Sequence, residues 1–195
     1  MLNYVEPVFR PPSEGRSLIL QVTNGCSWNK CTFCDMYTQP QKKFKAKPED
    51  ETLAEIKKAA AAGPQFDKVF LADGDALVLP IRRLVEILTA IKQYMPWVKR
   101  VSSYCLPRNI RKKSVDDLKQ LQELGFGMAY VGAESGDDEV LEFINKGETY
   151  ESTLSALVKL KEAGIKTSVM ILNGMGGMKY SQQHAENSAR LMNEA

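Results

Sequence analysis

Five short apolar runs punctuate the chain: Leu18 to Thr23, Lys68 to Asp73, Val98 to Tyr104, Gly127 to Val131 and Lys166 to Leu172. Each contains β-branched or aromatic residues and has turn residues nearby, the signature of a strand. Amphipathic segments with helix-start chemistry lie between them. Pro48 opens one at a first-turn position, ahead of Glu49, Asp50 and Glu51, whose charges suit the positive end of the helix dipole. Pro80 opens a second that runs towards Tyr94, and Ser114 caps a third with Asp116 and Asp117 in its first turn. Thr149 caps a fourth that ends near Ala163-Gly164, where glycine suits the left-handed C-terminal position. Ser181 starts a fifth, and a short helix over Glu139–Asn145 fits before Lys146-Gly147.

Strands two to five begin about 30 to 40 residues apart, the length of a βα unit. The alternation predicts an α/β domain of about five βα units, with a parallel sheet and right-handed crossovers. Its expected strand order is 1-2-3-4-5. Periodicity does not separate an open sheet from a barrel, but in both, ligands gather beyond the C-terminal strand ends. The last run, Ser168-Val169-Met170-Ile171-Leu172, has the uncharged, apolar character of a buried strand, yet it falls at the predicted sheet edge. Further chain or a partner is therefore expected to cover it. The natural protein is expected to exceed these 195 residues, and this chain alone to associate.

The length suits one domain with a substantial core. The net charge of +2, from 26 basic and 24 acidic residues, does not indicate a nucleic-acid partner. No apolar stretch is long enough to span a membrane, and Met1 to Pro12 lacks the pattern of a secretory signal. A cytoplasmic setting is expected. Lys42, Lys43, Lys45 and Lys47 form a basic run that reads first as a solvated loop, and second as a contact for an acidic substrate or a reductase.

The connection from Asn24 to Lys47 is about twice the usual length, and such loops are commonly functional. It carries Cys26, Cys31 and Cys34, three of the four cysteines. In a non-secreted chain such clustering reads as metal ligation. Thiolates suit both iron–sulfur clusters and zinc. A structural zinc site would need a fourth protein ligand, for which the chain offers Cys105 and its sole histidine, His184. A thioredoxin-type pair of Cys31 and Cys34 leaves the third cysteine without a role. A non-catalytic iron–sulfur or zinc module serving a partner protein remains the alternative to an enzyme.

The loop resembles the cluster-binding loop of the radical S-adenosylmethionine (SAM) superfamily, in which three cysteines follow the first strand of a partial (β/α) barrel. Two departures stand out. Four residues separate Cys26 from Cys31 where the common pattern has three, and Asp73 replaces a usual glycine. Later segments extend the resemblance. Ala72-Asp73-Gly74-Asp75-Ala76 is similar to the turn that meets the SAM amino group. Val131-Gly132-Ala133-Glu134-Ser135-Gly136, followed by Val140-Leu141 and Lys146-Gly147, resembles the fourth-strand signature of the branch with methylthiotransferases, tRNA-modifying enzymes and porphyrin-ring enzymes. Asn173-Gly174-Met175-Gly176-Gly177 is similar to the segment beneath the adenine, and His184-Ala185-Glu186-Asn187 to the following helix.

The resemblance implies a [4Fe–4S] cluster on Cys26, Cys31 and Cys34, and a SAM site that draws on Phe33, Gly74, Asp75, Glu134, Ser135, Asn173 and Gly174. It implies reductive cleavage of SAM to a 5′-deoxyadenosyl radical that removes hydrogen from an unidentified substrate. It also implies an electron donor such as flavodoxin or ferredoxin. No side chain of the chain itself is then required as an acid or base. Cys105 follows Ser102-Ser103-Tyr104 at the end of the third strand run, where it could face the same mouth; it reads first as a small buried thiol, and second as a radical or auxiliary-ligand residue without a motif behind it. Residues 1–195 are expected to form one core domain of this type, lacking the sixth strand.

Overall fold

The computed structural model describes residues 2–195. Strand β1 (Leu18–Gln21) runs into a two-residue strand β2 (Thr23–Asn24), which pairs antiparallel with β3 (Lys45–Ala46). This small ribbon closes the base of the cysteine loop. The single first strand expected from the sequence is thus split, because its last residues leave the sheet to pair with the loop's return. Helix α1 (Glu49–Ala61) and strand β4 (Lys68–Ala72) follow, then α2 (Ile81–Tyr94) and β5 (Arg100–Cys105). Two helices, α3 (Pro107–Arg111) and α4 (Val115–Glu123), lead to β6 (Phe126–Glu134). The chain ends with α5 (Asp138–Phe143), α6 (Tyr150–Glu162), β7 (Lys166–Ile171) and α7 (Gly177–Glu194).

The predicted helix starts reflect local chemistry. Pro48 and Pro80 stand immediately before α1 and α2. Ser114 accepts from the Asp117 N–H at 3.0 Å while Asp117 Oδ2 accepts from the Ser114 N–H at 2.8 Å, a reciprocal box at the start of α4. Thr149 does the same for α6 with Ser152. α7 begins four residues before Ser181, since Gly177 adopts a left-handed φ of 54° that lets the glycine-rich turn feed directly into the helix.

The five long strands form one parallel sheet in the order β1-β4-β5-β6-β7, as the alternation predicts, with β7 at an edge. Its two faces do different work. On the outer face Leu20, Val69, Leu71, Val101, Ala129 and Val131 pack under the helices, against residues such as Ile56, Leu84, Ile87, Leu121 and Leu160. On the inner face Phe70, Ala72 and Tyr130 form a second cluster, flanked by Ile19, Tyr104, Met128 and Met170. Phe70, Tyr104 and Tyr130 meet edge-on or tilted, with centroids 5.0–6.2 Å apart. Beside them the turn Pro12–Glu14 plugs the concave face. The buried Glu14 carboxylate accepts from Tyr130 OH at 2.8 Å and pairs with Arg100, the first residue of β5, at 2.5 Å. Among the described residues no helix is long and apolar enough to cross a membrane.

Candidate active site

The cysteine loop lies over the C-terminal ends of the strands, where Cys26, Cys31, Phe33, Cys34, Gly74 and Glu134 line a single cavity of about 270 Å³. Met36, Tyr37, Tyr104, Tyr130, Met170 and Leu172 supply most of its apolar wall.

The loop is held from beneath by the turn after β4. Asp73 is buried. It forms an ion pair with Lys42 and accepts from the Gly25 N–H at 3.1 Å and Gln21 Nε2 at 3.3 Å. The aspartate that departs from the family pattern is therefore an anchor for the residue preceding Cys26. Gly25 needs a left-handed φ of 68°, and a Cβ there would overlap the Lys42 carbonyl. Lys42 itself is fully buried, which corrects its expected place in a solvated basic run. Lys47 pairs with Glu55 at 2.8 Å, and only Lys43 and Lys45 stand exposed. Gly74 lets the turn approach closely, since a Cβ would sit 3.0 Å from Cys26 Cβ and 2.7 Å from the Tyr37 ring.

Asp75 supports the loop as well, accepting from the Ser27 N–H at 3.0 Å and from the Ser27 hydroxyl. Burial pushes its carboxyl up to about 6 against the pull of those bonds. Burial, followed by the Asp75 charge, pushes the Cys26 thiol up to about 11. Cys31 is raised too, chiefly by burial and against the opposing charge of Lys146. Metal ligation by these thiols would therefore release protons.

Across the cavity, Glu134 ends β6 with a left-handed φ of 66°, beside a register shift between Gly132 and Glu134. Such strain in a non-glycine residue is characteristic of functional sites. Its carboxylate pairs with buried Lys146 at 3.0 Å. A Cβ on Gly132 would sit 2.6 Å from Glu134 Oε1 and 3.1 Å from Lys146 Nζ, so the bare glycine makes room for the pair.

The remaining predicted residues fall outside the cavity lining. Ser135 is buried against α7, its hydroxyl 2.8 Å from His184 Nδ1 and accepting from the Asp137 N–H at 3.0 Å. Gly136 packs so tightly on α7 that a Cβ would overlap the Asn187 carbonyl. Asn173 and Gly174 are exposed on the turn that follows the cavity residue Leu172. Sequence reasoning missed Trp28, Tyr37, Tyr104 and Lys146 as cavity residues. Each had left a trace: Trp28 and Tyr37 stand in the cysteine loop, Tyr104 ends the third strand run beside Cys105, and Lys146 stands with Gly147 twelve residues after Glu134. Cys105 also lines the cavity, with burial raising its thiol to about 12.

Among the described residues, no three Cys, His, Asp or Glu side chains converge on one point, as a single ion requires. A [4Fe–4S] cluster takes one thiolate on each iron, so its ligands stand apart around a volume. Three thiols of one loop around a shared cavity fit the second demand.

A parallel sheet with helices outside and a thiol-bearing loop above its strand ends defines a partial (β/α) barrel with a thiol-lined mouth. The chain belongs to the Radical SAM superfamily, whose sequence pattern matches residues 20–192. It is similar to the 4′-phospho-dehydrooxetanocin synthase of Priestia megaterium, with 23% identity over 198 residues, 90% of this chain and 26% of that relative. Among solved structures, the cobalamin-dependent S-adenosylmethionine radical enzyme OxsB matches with a TM-score of 0.72 at 19% identity, over 90% of this chain and 27% of that one. Coproporphyrinogen III oxidase (HemN) from Escherichia coli, a radical SAM enzyme, matches with a TM-score of 0.64 at 18% identity, over 90% and 41%. These structural likenesses establish the shared fold. The family and the partial-barrel fold expected from the cysteine loop and strand signatures are thus both met, and the chain spans about a quarter of its first relative.

Proposed function

We propose that this chain is the core of an enzyme that cleaves SAM reductively on a [4Fe–4S] cluster held by Cys26, Cys31 and Cys34. The observation that carries the reading is the shared cavity: three thiols of one loop face the strained Glu134 and its partner Lys146. A cluster bound there would supply the electron that splits SAM, and the resulting 5′-deoxyadenosyl radical would take hydrogen from a substrate.

The chain's own residues supply position and shelter. Glu134 offers its free carboxylate oxygen to the SAM amino group or ribose hydroxyls, while Lys146 holds the other oxygen. Phe33, Met36 and Leu172 form apolar walls for the adenine and exclude water. Gly74 leaves space beside Cys26, and Asp75 fixes Ser27 so that Cys26 keeps its direction. Ser135 contributes by orienting the turn that carries Glu134, and Asn173-Gly174 lies on the rim. A flavodoxin or ferredoxin is the class of donor that could deliver the electron. The substrate enters over the strand ends and is not specified by these residues.

The test is anaerobic reconstitution with iron and sulfide, reduction and addition of SAM. The expected products are methionine and 5′-deoxyadenosine. A fully loaded, reduced protein that leaves SAM intact would refute the reading.

A further inference from the structure

The residues between Cys26 and Cys31 have a receptor of their own. Trp28 crosses from the gap to the connection between α5 and α6, where its Nε1–H donates to the Asn145 carbonyl at 2.8 Å. Two more bonds bind the same segments: Asn145 Nδ2 to the Lys30 carbonyl at 3.0 Å, and the Thr32 N–H to the Ile144 carbonyl at 3.0 Å. Asn29 turns the gap with a left-handed φ of 44°, and its side chain donates to the Tyr37 carbonyl at 2.9 Å.

Arg108, from α3, braces the indole. Its guanidinium carbon lies 4.1 Å from the Trp28 ring centroid. Glu148 fixes it in turn, accepting from the Arg108 N–H at 3.1 Å and from Nε at 2.7 Å, and Arg108 also donates to the Gly147 carbonyl. Gly147 must be glycine on two counts: φ is 69°, and a Cβ would overlap both the Trp28 ring and the Arg108 guanidinium.

Lys146 lies between the two residues so fixed. Asn145 and Gly147 both adopt left-handed conformations, so the turn holding Lys146 is defined on either side by contacts to Trp28 and its brace. From that turn Lys146 Nζ reaches Glu134. The thiol-bearing loop and the Glu134–Lys146 pair are thus joined through the Trp28 indole and the two backbone-carbonyl bonds beside it.

We infer that Trp28, braced by Arg108 and Glu148, is a positioning residue that sets the separation between the cysteine thiolates and the Glu134–Lys146 pair. The longer gap is then a strut rather than slack. This rests on the proposed function.

The test compares Trp28→Ala, Trp28→Phe, Arg108→Met and Lys146→Met in the full chain, each first checked for wild-type circular dichroism. Reconstituted Trp28→Ala should keep its iron, because all three thiolates remain, while SAM binding weakens by about tenfold or more, the scale of losses from supporting contacts. The SAM-induced change in the electron paramagnetic resonance spectrum of the reduced cluster should shrink with it. Trp28→Phe, which keeps the ring for Arg108, should recover most of the affinity. Because Trp28 acts through Lys146, the Trp28→Ala/Lys146→Met double variant should bind SAM no worse than Lys146→Met. Affinity within about twofold of wild type in both Trp28→Ala and Arg108→Met, or independent losses that multiply in the double variant, would overturn the inference. A separate arm uses iron-free protein: Cys31 should be alkylated several-fold faster in Trp28→Ala, relative to Cys105, and an unchanged rate overturns the strut. Failure of the wild type to load iron would instead overturn the proposed function, and the alkylation arm still decides the inference.

Discussion

Replacing Asp73 by alanine removes one end of an ion pair whose side chains are both fully buried. Lys42 would be left with the Val5 carbonyl at 2.8 Å and the face of Tyr37 at 5.7 Å, too little to offset an ammonium removed from water. The Gly25 N–H would lose its acceptor at the same time. Breaking a buried pair from one side costs about 3–5 kcal/mol. That is a large share of the roughly 5–15 kcal/mol that stabilises a domain. At roughly 2–4 °C per kcal/mol for a chain of this size, Tm should fall by about 6–20 °C. The double variant Lys42→Met/Asp73→Ala discards both charges and should recover most of the loss, since apolar replacement of a whole buried pair is often neutral. The exposed pair of Arg82 and Glu49 is the control, and Arg82→Ala should change nothing measurable. Urea denaturation of the iron-free chain, followed by far-ultraviolet circular dichroism, reads these three variants and Lys42→Met alone against the wild type. An Asp73→Ala loss below about 1 kcal/mol, the size of an average substitution, would refute the anchoring argument. So would simple additivity of the two single changes.

Alanine at Cys26, Cys31 or Cys34 should strip most iron from reconstituted protein, whereas Cys105→Ala should retain it; full iron in Cys31→Ala would defeat the assignment. Glu134→Ala should weaken SAM binding by about 1–3 kcal/mol in calorimetry without removing the cluster, the scale for a charge-assisted hydrogen bond. Unchanged affinity would reduce Glu134 to a structural turn residue. Burial lowers the Lys113 ammonium to about 8, and it donates to the Leu77 carbonyl at 2.6 Å. The unfolded chain therefore binds the extra proton between about pH 8 and its ordinary 10.5. Stability from this group should rise across that window, by on the order of 3 kcal/mol in total. Comparison of denaturation curves with Lys113→Met, which should lack that rise, checks the sign.

Much of the frame was written in local chemistry. The Ser114 and Thr149 caps act over three residues, the strand runs are apolar stretches of a few residues, and Pro48 and Pro80 need no partner elsewhere, so these four helix starts and the strand order could be read in advance. The three thiols were equally legible, because their clustering is a fact of the chain itself, and Glu134 stood in a recognisable signature. What the sequence could not convey is which charges leave water and which loops meet. Lys42 reads as one lysine of a basic run until it meets Asp73, 31 residues away. Ser135 gives no sign in the sequence that α7 will bring His184 to its hydroxyl. Trp28 bonds Asn145 across 117 residues, and β2 forms only because the loop returns to pair with it. These contacts cost chain entropy that only the assembled barrel offsets, by burying many surfaces at once. The sequence therefore determined the clustering of the three thiols and the βα rhythm. The tertiary structure decided how rigidly the thiols are held and which carboxylate and ammonium face them.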